Sequence, residues 1–431
     1  MMLIVPTVLI CVVILRDPYY GVYLYFLYIY LRPYEFIPVL GALRLTMFIE
    51  IITLISWILK LMKTKGIVKW NTFSSLFLGF IGVIGITVIT AENNFFAYTV
   101  FMVMLVVFII FIVATNVVDS VSRLQKIIWI LLIIHFYFAI KGINTFVTGS
   151  YYAAGQYTSG HVGGGYIGDE NDFALAINMM IPYAFFGVFY FKGKAKLISI
   201  ALLVTFVFAI ISSFSRGGLV GLVCLLLYCI FSSGKKLLSL GLIVALIISM
   251  GLFAPASYWE EAETIQEIDQ GTANARIEYW KTAFRMFIDN PVVGVGAGNG
   301  GIHMPAYIRG VKDPNTQWGR AFHGTFPQII AELGVLGSFF YFSMIIIVFR
   351  LLYRIKTRKV GEGGSKSSQY IANSIIGSLI GYFVCSAFLS TAYYPHLWAT
   401  FSFAAILIFC DRNKGEHLIK ADEENVKNPT L

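Results

Sequence analysis

Residues 96–117 read FAYTVFMVMLVVFIIFIVATNV, 22 positions without one charged side chain. An α-helix needs about 20 apolar residues to cross the hydrocarbon of a bilayer, so this stretch is a membrane span. Working outward, comparable stretches lie at 43–62, 73–91, 123–147, 169–191, 195–213, 217–232, 235–254, 325–353, 370–391 and 396–410. Residues 3–31 are apolar too, but Arg16, Asp17 and Pro18 interrupt them, leaving one broken span or two short helices. The chain therefore predicts an all-α, polytopic integral membrane protein of about twelve transmembrane helices, twelve or thirteen by the reading of 3–31.

Composition agrees. Of 431 residues, 58% are hydrophobic and only 13% charged, against about 25% charged in a soluble domain. The N-terminus lacks a basic region and a small-residue cleavage site, so the first segment is expected to be retained. The five cysteines all fall inside apolar runs without metal-site or disulfide spacing, and read as small core residues.

Orientation comes from lysine and arginine, which collect in short cytoplasmic loops. One parity places 22 of the 32 basic residues inside, from Arg16 through the Lys60–Lys69 cluster, Arg123, Lys126, Lys192, Lys194, Lys196, Lys235 and Lys236 to the Arg350–Lys366 linker and the tail. The net charge of +9 is thus a topology signal, with no nucleic acid implied. The same parity leaves two sizeable loops outside, 148–168 and 255–323. The organisation expected is an N-terminal helical region at 1–254, a periplasmic loop at 255–323, further membrane helices at 324–410 and a cytoplasmic tail at 411–431.

Several basic residues resist this explanation and sit near the outer loops. In 275–289, Ile277, Trp280, Ala283, Phe284, Phe287 and Ile288 recur at helical spacing, with Asn274 as cap and Asn290-Pro291 as stop. Lys281, Arg285, Glu278 and Asp289 point away from that stripe, whereas Arg276 falls within it. A cation in the first turn opposes the helix dipole. Either a phosphate compensates it, or an acidic residue such as Glu260, Glu261 or Glu263 pairs with it. Arg216, in SFSRGG at 213–218, stands at an external span end, where it can grip a diphosphate bidentately or anchor to lipid phosphate. His323 stands where the long loop enters the span near Thr325, reachable from water and able to titrate near neutrality. Glycines at 294, 296, 298, 300 and 301 formally give GxGxxG, but no strand precedes them. They read as a tight or flexible passage against the membrane surface. Acidic residues at 169–172 suit helix capping or substrate contact.

The strings SRGG at 215–218, RIEYWK at 276–281, NPVVGVGAG at 290–298, HGTFPQ at 323–328 and ELGVLG at 332–337 resemble, in this order, the signature of the O-antigen ligase and polysaccharide polymerase superfamily. The resemblance covers roughly 210–340 in detail and the whole chain in topology. It implies a GT-C-like fold in a bacterial inner membrane. Its active site would face the periplasm and transfer a glycan from a polyprenyl-diphosphate-linked donor to an acceptor hydroxyl on a lipid, glycan or protein. No cofactor and no metal are implied. Arg216 and Arg276 would hold the diphosphate with Arg320 nearby, and His323 would be the base. Two features depart from the pattern: Gly324 stands where many members carry asparagine, and the loop is shorter than in some polymerases. A transporter or flippase for the same lipid-linked sugars is the alternative. It would use Glu50, His135, Lys141 and Glu332 and would show repeats or broken helices.

Overall fold

The computed structural model describes residues 4–37, 39–148, 168–253, 274–359 and 364–427. All regular elements among them are helices. In chain order these are α1 (Ile4–Arg16), α2 (Pro18–Leu31), α3 (Val39–Ala42), α4 (Leu45–Thr64), α5 (Thr72–Thr90), α6 (Asn94–Val117), α7 (Val121–Val147) and α8 (Glu170–Tyr190). Then come α9 (Gly193–Ser212), α10 (Arg216–Ser232), α11 (Lys236–Phe253), α12 (274–289), α13 (Gly300–Tyr307), α14 (Thr325–Thr357), α15 (Lys366–Ser386) and α16 (Pro395–Lys427). A helix stands at each predicted position. Seven of the described helices, α4 to α9 and α14, are long and apolar enough to cross a membrane.

Short polar side chains start these helices. Asn71, Asn93, Ser120, Asp169, Ser215 and Ser365 each accept a first-turn backbone N–H, satisfying donors that lipid could not. The interruption at 16–18 resolves into two helices, because Asp17 caps α2 and Pro18 occupies its first position. Asp17 also pairs with Arg123 at 2.6 Å, fixing α2 against the start of α7.

Helix α8 is the axis of the bundle. Its residues from Asp172 to Val188 are buried, and it packs against α9, α10 and α15. Small residues permit the closest of these approaches: a side chain on Gly218 would meet Ala174, and one on Gly221 would meet Cys385 and Asn178. The Asn178 amide donates to the Gly218 carbonyl at 2.9 Å, so α8 and α10 are also joined by a polar bond.

Helix α14 is broken at Gly334, whose φ of 59° and ψ of −156° are not helical. The chain at 291–296 fills the break. Val295 N–H donates to Ala331 O at 2.9 Å and Gly296 N–H to Glu332 O at 3.0 Å. In return, Val335 N–H donates to Pro291 O at 2.8 Å and Leu336 N–H to Val292 O at 3.2 Å. Backbone groups freed by the break would cost several kcal/mol each if left unpaired in an apolar layer. A Cβ on Gly294 would run into the backbone of 331–333, and one on Gly334 into that of 291–292. The glycine-rich stretch is therefore not a passage lying on the membrane surface. It is wedged into a broken helix on one side and bonded on the other to the α5–α6 turn, where Asn299 Oδ1 accepts Asn93 N–H at 2.9 Å.

Candidate functional site

Helix α12 departs from its predicted wheel. Ala283 and Met286 are buried with Thr282, whereas Ile277, Phe284 and Ile288 are 46–58% exposed. Two apolar faces result. The first packs on a small core with Val295, Met304, Phe322 and Ala331. The second spans positions i, i+7 and i+11 and faces outward, as a helix lying along lipid would. The predicted stripe merged the two because both are apolar. Arg285 does not simply point to solvent. It bonds Glu278 at 2.7 Å and the Tyr307 carbonyl at 3.0 Å, fastening α13 to α12.

Arg276 is half-buried in the first turn of α12, its guanidinium carbon 5.9 Å from the Phe388 ring centre. The acidic residues weighed as its partners, Glu260, Glu261 and Glu263, lie outside the described residues. Arg216 opens α10 directly after Ser215, whose hydroxyl accepts Gly218 N–H and donates to Asn171 Oδ1 at 2.8 Å. Phe214 before it has a φ of 55°, a left-handed backbone that turns the chain sharply into α10. A Cβ on the adjoining Gly217 would rest on Phe388 at 3.5 Å, the ring that Arg276 overlies. Phe388 thus lies beside both the Arg276 guanidinium and the backbone of Gly217, next to Arg216 in the first turn of α10.

His323 ends the loop with a φ of 51°, also left-handed. Strained residues of this kind persist where surrounding contacts fix them. Here the Trp280 indole N–H donates to His323 O at 3.2 Å, and the Tyr279 ring lies 6.0 Å from the imidazole at 31°. Gly324 makes room for this, since a Cβ there would stand 2.8 Å from Trp280 Nε1. Burial lowers the His323 pKa below its ordinary value, Arg276 and Arg320 lower it further, and Asp169 opposes them. These surroundings favour the neutral imidazole, the form able to accept a proton.

These interactions gather the amino ends of four helices: α8 with Asp169, α10 with Arg216, α12 with Arg276 and α14 just after His323. Helix amino termini carry partial positive charge, so their convergence with two arginines favours an anion. Asp169 accepts the N–H groups of Asn171 and Asp172 at 2.8 Å, which makes it the cap of α8. Asp172 is buried and accepts from Tyr394 at 2.9 Å. Arg320 is exposed and lines a cavity of about 340 Å³ with Trp318, Phe322, Gln328 and Glu332. His323 does not line that cavity.

Sequence reasoning missed Trp280 and Tyr279 as supports of His323, because an apolar stripe gives aromatics no distinguishing mark. It also gave no role to His396, the first residue of the predicted span 396–410. The residue is buried, its Nε2 3.2 Å from that of His135 and its ring against Tyr30. Proximity to a loop in sequence hid its position in the first turn of α16. His161 lies outside the described residues, and His303 sits 3.5 Å from Glu92. Glu332, considered above as a transport carboxylate, accepts Gly298 N–H at 3.0 Å and the Tyr393 hydroxyl at 2.8 Å, and so ties the glycine loop to the start of α16.

Over part of its length the chain is similar to the O-antigen ligase family. The model of the O-antigen ligase family matches residues 175–342, a segment that contains Arg216, Arg276, Arg320 and His323. A curated relative, the teichuronic acid biosynthesis protein TuaE of Bacillus subtilis (strain 168), is 24% identical over 312 residues, which cover 68% of this chain. The chain spans 61% of the length of that relative. Together these bear out the resemblance read from the motifs.

Proposed function

We propose that this protein transfers a glycan from a polyprenyl-diphosphate-linked donor to an acceptor hydroxyl, in the manner of an O-antigen ligase or polysaccharide polymerase. The family match and the polysaccharide-biosynthesis relative support a glycan-transferring role. The observation that carries the reading is the gathering of the amino ends of α8, α10, α12 and α14, which brings Arg276 near His323 and sets Arg216 at the start of α10.

In the reaction, the acceptor oxygen attacks the anomeric carbon as the bond from that carbon to the diphosphate oxygen breaks. His323 takes the hydroxyl proton, and the electron pair leaves with the polyprenyl diphosphate. Two guanidiniums and the helix amino ends stabilise the charge that grows on the leaving group. A single in-line displacement inverts the anomeric centre. Arg320, in the wall of the cavity of about 340 Å³, contacts the carbohydrate rather than the diphosphate. The chain crosses a bacterial inner membrane about twelve times, with this site at the periplasmic face, as the basic-residue parity requires. The acceptor is a lipid, a glycan or a protein hydroxyl.

A broken helix, which the flippase reading expects, is present at Gly334. In transporters, unwound helix lines a substrate cavity. Here the backbone groups of the break are taken up by residues 291–296. Reconstituted protein given a lipid-diphosphate glycan and an acceptor preparation should release polyprenyl diphosphate in step with glycosylated acceptor. Movement of intact donor across the bilayer without release of diphosphate would favour the transporter.

A further inference from the structure

The face opposite His323 carries a second built feature. Helix α8 runs from Glu170, beside the site, to Tyr190 at the other end. There α9 and α11 begin, and a cavity of about 570 Å³ opens between them. Along α9 its wall is Gly193, Lys196 and Ile200; at the start of α11 it is Lys235, just before the helix, with Leu238 and Leu242. Both sets follow the i, i+3, i+7 spacing of a single helix face. Each places a lysine at the helix start and an aliphatic side chain further along, over a length of roughly 10 Å. Val188 and Phe189 of α8 close the back, and Lys192 stands at the rim. None of the lining residues is acidic.

This charge pattern is costly by itself. Lys192 and Lys196 repel one another across one helical turn, and lysines at a helix start oppose the dipole. Lys192 caps α9 without a side-chain bond to it. Every term is relieved by an anion at the mouth, while the apolar walls below suit a hydrocarbon chain and not water. Basic crevices between membrane helices take lipid headgroups in this way.

We propose that this crevice binds one anionic phospholipid of the surrounding leaflet. Its phosphate sits at Lys192, Lys196 and Lys235, and an acyl chain runs along Ile200, Leu238 and Leu242. The site is separate from the transfer site and does not depend on the reaction proposed for it.

The test is native mass spectrometry of the purified full chain in detergent, titrated with phosphatidylglycerol or with phosphatidylcholine of the same chains. Phosphatidylglycerol should bind the more tightly. The double variant Lys196→Gln/Lys235→Gln should weaken it roughly 30-fold. The charge-matched control Lys194→Gln/Lys236→Gln, which removes two lysines beside the crevice, should retain the preference. Leu242→Trp should weaken binding with every lysine kept. Equal losses in the two double variants would reduce the effect to diffuse surface charge and overturn the proposal, as would equal binding of the two lipids. Displacement of the lipid by inorganic phosphate, with Leu242→Trp binding normally, would make the site one for a free anion and refute the lipid.

Discussion

The indole N–H of Trp280 donates to the carbonyl oxygen of His323 at 3.2 Å, so the helix carrying Arg276 is tied to the residue proposed as base. The same helix ends at Asn290-Pro291, and the residues that follow dock into the break of α14, the helix that begins just after His323. Arg276 and His323 are thereby fixed relative to each other at both ends of α12. Trp280→Phe keeps the aromatic contact and removes the bond, a change worth about 1 kcal/mol. Turnover should fall about five- to tenfold with the donor KM little changed. Wild-type turnover in this variant would show that the tether does not position the site.

The pH dependence follows from the groups around His323. Burial, Arg276 and Arg320 place its pKa below the ordinary 6.5, and a base must be unprotonated, so activity should rise with pH along a limb centred below 6.5. Arg320→Gln removes an opposing cation and should move the limb to higher pH. Asp169→Asn keeps a helix-capping side chain but removes the anion that favours imidazolium, and should move the limb to lower pH. Shifts in the reverse directions, measured as kcat against pH, would show that another group titrates.

Arg216→Lys and Arg276→Lys preserve charge but lose the planar fork that grips a diphosphate at two oxygens. Each should cut transfer by at least about tenfold while the protein still folds and elutes normally from size exclusion. Near-normal transfer by both would remove the clamp.

Gly294 and Gly334 each need a left-handed backbone and each approach the other's chain segment too closely for a Cβ. Alanine at either should cost at least about 1–3 kcal/mol from backbone conformation alone. The double variant should be less destabilised than the sum of the singles, because one substitution already undocks the loop. Thermal unfolding in detergent measures both quantities, and full additivity would mean that the two glycines act independently.

Much of this was legible in the sequence, for identifiable reasons. Helix positions follow from runs such as 96–117, since lipid allows no other solution for an uncharged stretch of that length. Arg216, Arg276 and His323 stood out because each breaks a local rule of charge placement or polarity. The break at Gly334 did not stand out: it depends on backbone bonds between 291–296 and 331–336, and a glycine within an apolar run also fits plain helix packing. The two faces of α12 were merged because one periodicity reports apolar residues without saying whether protein or lipid receives them. His396 met His135 only through the packing of α16 on α7.

The most direct test of the central claim is single-turnover transfer by purified His323→Ala with saturating lipid-diphosphate donor, alongside wild type and His323→Asn. The account predicts a rate reduced by roughly 10² to 10⁴ in both variants, since neither side chain can accept the proton, with donor affinity nearly intact because Arg216 and Arg276 remain. An undiminished rate for His323→Ala would contradict it and make His323 a structural residue of the loop.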